Sequence, residues 1–251
     1  MHDVLAANKL GGMSMRIRLT TLALFVVVFL SGCSQAPISS EAASSIRRVA
    51  IVTLIPEEIT ISRIGFTVFN NKYVNLNLDG ALEKTVDLVT RKRLSTTRKD
   101  WTVVPISYDR QTLIARVQRR TLVMSLSVER VRSELVELAQ RNNLDALIVL
   151  TSASYDRPAG NGLGIWMRTF TSNVSDVTVH ANISVVIVKK EGAFAGSAHG
   201  QETRMVKASE LGLNYELDFV ATEGDGRERV KREVLMTLEN AINNRIGEMQ
   251  L

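Results

Sequence analysis

The sequence predicts a single α/β domain with a mixed sheet, a long antiparallel hairpin and about four helices, arranged in two or three layers. Two short apolar runs rich in β-branched residues, 49–55 and 145–151, are typical of strands that are buried on both faces. Residues 177–188 alternate between apolar and polar side chains, whereas 227–246 repeat apolar residues with a helical period. Strands and helices that alternate along a chain indicate the α/β class.

Composition and charge exclude several classes of protein. The 251 residues are 45% hydrophobic and 23% charged, which is typical of a chain with a packed core. One cysteine and three histidines exclude a disulfide framework, a multi-cysteine zinc site and an iron–sulfur cluster. Residues 1–32 hold three basic residues and one acidic residue, so the rest of the chain has 28 basic and 25 acidic residues and a net charge of +3. A chain this close to neutral predicts no nucleic-acid partner, and nothing in it predicts a cofactor.

The N-terminal segment has the features of a secretory signal. Arg16 and Arg18 precede an apolar run of 12 residues, 19–30. A bilayer-spanning helix needs about 20 such residues, so a run of this length fits the core of a signal peptide better than a membrane anchor.

The run ends in Leu30-Ser31-Gly32-Cys33, which resembles the lipobox of bacterial lipoproteins. By this resemblance, Leu30, Ser31 and Gly32 form the cleavage motif and Cys33 becomes the acylated first residue of the mature protein. Three acyl chains would hold the protein on a membrane far more firmly than one. Ser34, rather than aspartate, follows Cys33, and by the sorting rule of Gram-negative lipoproteins this favours the outer membrane. The alternative is an uncleaved anchor with an incidental cysteine.

Three regions follow from this interpretation. Residues 1–32 are the signal peptide, 33–45 are the lipidated N-terminus with a flexible tether, and 46–251 are an α/β domain in the periplasm. Small and polar residues without a hydrophobic period predict the tether. The chain shows no internal repeat and no second linker, which indicates one domain.

The first half of the domain contributes two strands, an extended stretch and a helix. The strand at 49–55 precedes an extended stretch at 59–69 that ends in an Asn-Asn turn signal. Asp79 is the predicted N-cap of a helix that continues to about Leu94. The strand at 101–106 contains a proline, which confines it to a sheet edge or to a strand end.

The second half adds a crossover unit and the hairpin. A helix capped by Ser127 leads directly into the strand at 145–151, as in half of a parallel crossover. The predicted elements of this half are a weak helix over 110–124, a helix that begins at Val128 and is ended by Asn142-Asn143, a hairpin of 177–188 and 193–206 with a turn at 189–192, and a helix over 227–246 with Gly247 as its C′ residue.

A glycine-rich stretch at 155–164 is predicted to be a loop. It leads into another extended segment and not into a helix N-terminus, so it lacks the amides that hold a phosphate. A mobile surface loop is the first interpretation, and glycines beside an exposed tryptophan also suit a loop that orders on binding a partner. The candidate partner residues are Tyr155, Gly160, Gly162, Gly164 and Trp166.

No catalytic or metal-binding residue is predicted. A hairpin that turns near Lys190 places His199 opposite Asn182 and diagonal to His180, but two solvated imidazoles fall short of a zinc site. No Gly-x-Ser-x-Gly nucleophile motif occurs, and Glu57-Glu58 is interpreted as a pair of surface acids. The sequence therefore predicts a protein that is not an enzyme.

Three segments resemble the periplasmic domain shared by the curli-pore CsgG family, LpoB-type activators of cell-wall synthases and the N-terminal domain of TolB. They are the opening strand Arg48–Val52, the helix-to-strand junction Leu138–Val149 and the long hairpin strand Val177–Val185. The resemblance spans about residues 46–246 and implies an α/β fold that works outside the cytoplasm.

Together these features predict a non-catalytic lipoprotein of the cell envelope. We expect it to contact the outer membrane through the acyl chains on Cys33 and to bind another envelope protein or a second copy of itself. The alternative is a domain that binds a small ligand or the cell wall, which would need a concave pocket with converging polar side chains.

Overall fold

The computed structural model describes residues 36–118, 127–154, 162–168, 176–214, 217 and 224–251. The strands in these ranges are β1 Arg48–Leu54, β2 Glu58–Ile64, β3 Lys72–Asn77, β4 Thr102–Val103, β5 Ala146–Ser152, β6 Leu163–Arg168, β7 Asp176–Lys189 and β8 Phe194–Lys207. The helices are α1 Ser40–Ser45, α2 Ala81–Thr97, α3 Arg110–Val117, α4 Arg132–Arg141, α5 Ala208–Leu211 and α6 Gly224–Glu248. In the described part of the chain, no helix is long and apolar enough to cross a membrane.

The strands form one mixed sheet that branches along β7. The order is β3-β2-β6-β7-β5-β1-β4, and β8 pairs with the opposite edge of β7. Because β7 has 14 residues, its first half pairs with β6 and its second half pairs with β5 on the same side. Asn182 marks the branch, where its amide donates to the Gly162 carbonyl and its carbonyl accepts from the Ala153 amide. The predicted mixed sheet and long hairpin are confirmed.

Helices cover the sheet on two faces, which makes three layers. Alternate residues of β1 lie in two separate cores: Val49 and Ile51 face α2 and α6, whereas Ala50 and Val52 face α3 and α4. β5 is buried on both faces in the same way, which explains its continuous apolar sequence. The four longer helices, α2, α3, α4 and α6, agree with the predicted number.

The helix predicted from Asp79 begins slightly later and is capped by a different residue. Asp79 adopts a left-handed conformation with φ of 55° and binds Lys231 and Arg227 of α6, at 2.6 and 2.7 Å. The N-terminal amides of α2 instead donate to the Glu57 carboxylate, which lies on the loop after β1. Asp79 is therefore a contact between α2 and α6, and the prediction that it caps the helix is wrong.

Two other predicted boundaries differ from the structure. The extended stretch at 59–69 ends as a strand at Ile64, and a second strand, β3, pairs antiparallel with β2. Gly247 lies inside α6, which continues to Glu248, and the left-handed residue after the helix is Gln250. The described part of the 110–124 helix ends at Val117.

The segment before the first strand is packed against the domain. Ala36 exchanges backbone hydrogen bonds with Ser197 of β8, and Ile38 is buried while its amide donates to the Met249 carbonyl. Ser39 caps α1 by accepting from the Ala42 amide. The tether predicted over 33–45 therefore packs against the domain in its described part. The reason is that Ile38, an apolar residue in a polar segment, is buried in the core.

Candidate interaction site

Part of the glycine-rich stretch belongs to the sheet. Gly164 and Trp166 lie in β6, between β2 and β7, and Gly162 precedes that strand with φ of 71°. Trp166 is half-buried opposite Ser62 and Thr178. The predicted loop at 155–164 therefore ends at Gly162, two residues earlier than expected, because Gly164 already belongs to the strand. The extended segment predicted after the loop is confirmed, but Trp166 is not fully exposed as predicted. Tyr155 and Gly160, like Leu30, Ser31, Gly32 and Cys33, lie outside the described residues.

Close approach between strands explains why residue 164 is a glycine. A Cβ atom there would lie 2.4 Å from the Thr60 carbonyl oxygen and 3.0 Å from Cε1 of His180. Only a residue without a side chain fits between the two neighbouring strands at this point.

The two histidines do not lie together. His199 is opposite Ser184, and His180 is opposite Thr203. The hairpin is shifted by two residues from the predicted register, and the bulge at Ile187/Val188 accounts for one of them. His180 is only 1% exposed, so the prediction of a solvated side chain is also wrong. Its strand lies between β6 and β8, and the face of the strand that carries His180, Asn182 and Ser184 is buried.

Burial makes His180 sensitive to acid. Neither ring nitrogen has a hydrogen-bond partner among the described residues, and burial lowers the pKa of His180 from 6.5 to about 4. Because the pKa is lower in the folded protein than in the unfolded chain, the neutral ring contributes its full stability above pH 6.5 and loses it as the pH falls towards 4.

We expect the free energy of unfolding to fall by about 3 kcal/mol more between pH 7 and pH 4 in the wild type than in a His180→Leu variant. Urea titrations over this pH range measure the difference. A Thr203→Ala variant, which changes the residue opposite His180, should keep the wild-type pH dependence. Parallel pH profiles of the wild type and His180→Leu would contradict the assignment.

The carboxyl end of β1, beside β5, is the switch point at which α/β sheets often bind ligands. Here the chain's own side chains fill it. Arg110 is 11% exposed, donates to the carbonyls of Thr53 and Ile55, and lies 3.4 Å from the Glu57 carboxylate. Glu57 in turn accepts from the N-terminal amides of α2, the position that an anionic ligand would take.

Tyr108 completes this cluster. Its hydroxyl accepts from the Thr53 amide at 2.8 Å, and burial raises the pKa of the Tyr108 phenol. The prediction that Glu57 is a surface acid is therefore wrong, because its carboxylate caps α2 and pairs with Arg110. The cluster joins the loop after β1 to α2 and α3, and we assign it a structural role.

The turn between β2 and β3 exposes a group of large apolar side chains, which we call the apolar tip and define as Phe66, Val68 and Phe69. Their exposed fractions are 83%, 76% and 95%. Tyr73, further along β3, is 60% exposed. Three such residues within four positions form an exposed apolar patch, which is typical of an interaction site in a folded protein.

Hydrogen bonds connect the two sides of the turn that carries the apolar tip. The Gly65 amide donates to Asn71 Oδ1 at 3.0 Å, and the Thr67 hydroxyl donates to Asn70 Oδ1 at 2.6 Å. Arg63, which is 4% exposed, donates to the Asn70 carbonyl at 2.9 Å. The sequence signal for this feature was present, since two phenylalanines precede an Asn-Asn turn.

The surface of the described residues also has grooves away from the apolar tip. One has a volume of about 260 Å³ and contains Arg47, Arg98 and Asp100, whose charges already pair with one another. Another, about 620 Å³, runs between α4 and the β7–β8 turn. Among the residues that the structure describes, no group of three or more histidine, cysteine, aspartate or glutamate side chains is placed to hold a metal ion.

No protein-family model matches the chain, and no curated protein matches it. Solved structures with some similarity include the lipoprotein GNA1162 from Neisseria meningitidis, with 12% identity, a TM-score of 0.32, and coverage of 79% of this chain and 99% of that one. The PelC dodecamer from Paraburkholderia phytofirmans has 11% identity, a TM-score of 0.29, and coverage of 82% and 94%. The LpoB C-terminal domain from Salmonella enterica has 12% identity, a TM-score of 0.25, and coverage of 71% and 92%. Identities and TM-scores this low transfer no role to this chain.

Proposed function

We propose that this protein is a non-catalytic lipoprotein of the cell envelope that acts as a protein-interaction or assembly module at the outer membrane. The observation that carries the proposal is the apolar tip, with its three large side chains between 76% and 95% exposed. Burial of such side chains against a partner is the main source of favourable free energy in protein association.

The rigidity of the apolar tip supports a role in binding. Asn70 accepts hydrogen bonds at its carbonyl and at its side chain, and Asn71 accepts from the start of the turn. A surface that is already ordered loses less conformational entropy when a partner binds. The turn therefore presents its apolar side chains in a form that is ready for docking.

The anchor part of the proposal rests on the lipobox-like motif that ends at Cys33. Acyl chains on this residue would hold the domain at a membrane surface, and Ser34 favours the outer membrane. Confinement to a surface raises the effective concentration of partners in the same membrane.

The test is co-isolation from outer-membrane fractions in mild detergent. We compare the wild type with a variant that carries Phe66→Ser, Val68→Ser and Phe69→Ser, and with a control variant Leu88→Ser. Leu88 is also exposed, at 68%, but lies on α2. We expect wild type and control to retain the same envelope proteins and the triple variant to lose at least one of them. Identical sets of proteins from all three, each recovered from the outer membrane, would contradict the proposal.

A further inference from the structure

The outer edge of β8 carries backbone groups that point away from β7. Ser197 fixes which residues these are, because its amide and its carbonyl both bond to Ala36, at 2.9 and 3.0 Å. Backbone groups alternate in direction along a strand, so the odd-numbered residues that follow Ser197 also direct theirs outward. The Arg245 guanidinium donates to one of them, the His199 carbonyl, at 3.0 Å.

Beyond His199 the described residues leave this edge without a neighbouring strand. The outward amides and carbonyls of Gln201, Thr203 and Met205 have no backbone partner among the described residues. Thr203 and Met205 are exposed, and Met205 is 73% exposed. Such an edge is a template for the addition of another strand.

The charges on this edge are complementary to the charges on the same edge of a second copy of the chain. Glu202 and Arg204 flank Thr203, and both side chains lie on the α6 face of the sheet. Glu202 accepts from Asn244, while Arg204 lies 3.3 Å from Glu233 and keeps 46% of its side chain exposed. When two such strands run antiparallel about Thr203, each Glu202 lies directly opposite an Arg204.

We propose that β8 pairs with β8 of a second copy of this chain, antiparallel and centred on Thr203. In this register, Thr203 faces its own copy and Gln201 faces Met205 of the other copy. Each of the three pairs exchanges two hydrogen bonds, so about six new backbone bonds form. The two Glu202–Arg204 pairs fix the register, and the arrangement has the two-fold symmetry that is commonest in homo-oligomers.

This pairing goes beyond the proposed function and uses different residues. The apolar tip lies between β2 and β3, whereas the open edge belongs to β8. A protein that remains monomeric would therefore overturn the pairing and leave the role of the apolar tip standing.

The first experiment places a single cysteine at the two-fold axis. In the proposed pair the Cα atoms of residue 203 in the two copies lie about 5.5 Å apart, within the range that a disulfide spans. We expect Thr203→Cys in the full chain, expressed in cells, to give a disulfide-linked dimer on a non-reducing gel. Lys84→Cys, an exposed position on α2, is the control and should give only background. Equal dimer yields at the two positions would overturn the proposal.

Charge exchange supplies the second, independent experiment. In the Thr203→Cys background, Glu202→Arg alone places like charges opposite each other twice and should lower dimer yield about tenfold. Arg204→Glu alone should do the same. The double variant Glu202→Arg with Arg204→Glu restores opposite charges and should restore the dimer. Failure of the double variant to recover, while it elutes as a folded protein, would overturn the proposed register.

Discussion

Replacement of Arg110 with methionine is expected to destabilise the protein by about 3 kcal/mol or more. Its guanidinium is 11% exposed and donates to the carbonyls of Thr53 and Ile55, while it pairs with Glu57 at 3.4 Å. Methionine keeps most of the volume but leaves two carbonyls and a half-buried carboxylate without their cation. Urea unfolding followed by circular dichroism measures the loss.

Arg116 provides a matched control on the same helix. It also forms an ion pair, with Glu134, but its side chain is 52% exposed. Exposed pairs contribute little because solvent screens them, so Arg116→Met should cost at most about 1 kcal/mol. Equal costs for the two variants would show that the cluster at the end of β1 does not hold the loop and the helices together.

Gly164→Ala is expected to cost about 3 kcal/mol, at the upper end of what one added methyl group costs in a packed interior. The new Cβ would lie 2.4 Å from the Thr60 carbonyl oxygen. That oxygen belongs to the backbone of β2, which pairs with β6 over five residues, so it moves only if the sheet shifts. Thermal or urea unfolding measures the change.

Gly80→Ala separates this steric effect from the general cost of replacing a glycine. Gly80 has φ of 79°, and a Cβ there would meet nothing within 4 Å. Its replacement should cost about 1 kcal/mol, from the left-handed backbone alone. If Gly164→Ala costs no more than Gly80→Ala, the close approach of β2 and β6 does not require a glycine.

Much of the fold could be predicted from the sequence because local pattern and tertiary environment agree. β1 and β5 are buried on both faces, and their sequences are continuously apolar. β7 alternates between apolar and polar residues from Val177 to Val185, and its apolar face packs against α6. β3 was not predicted because only one of its six residues, Leu76, is buried. Its sequence therefore carries little hydrophobic pattern.

The candidate site could be predicted less well because it depends on contacts between distant segments. Glu57 caps a helix that begins 24 residues later, and no local rule connects the two. Gly164 was interpreted as a loop residue because glycine is common in loops, whereas the sheet needs it for close approach. His180 looks solvated in an alternating strand, but this face of β7 is covered, because Asn182 and Ser184 on the same face are buried as well.

The apolar tip and the β8 edge also combine residues that are visible in the sequence with an arrangement that only the fold shows. The phenylalanines of the tip are visible in the sequence, but only the β2–β3 pairing shows that they are exposed. Among the described strands, β7 has a neighbour on both sides and β8 on one, so the edge of β8 beyond the Ala36–Ser197 bridge follows from the strand order. Which edge remains free is a property of the whole sheet and not of any segment.

Photo-crosslinking in living cells tests most directly whether the apolar tip binds a protein. The photoreactive amino acid p-benzoylphenylalanine replaces Phe69, which is 95% exposed, or Leu88 as the control. We expect irradiation to produce a discrete protein adduct in the outer-membrane fraction at position 69 and none at position 88. A lipid adduct alone at position 69, or protein adducts of equal yield at both positions, would contradict the account of the tip as a protein-interaction site.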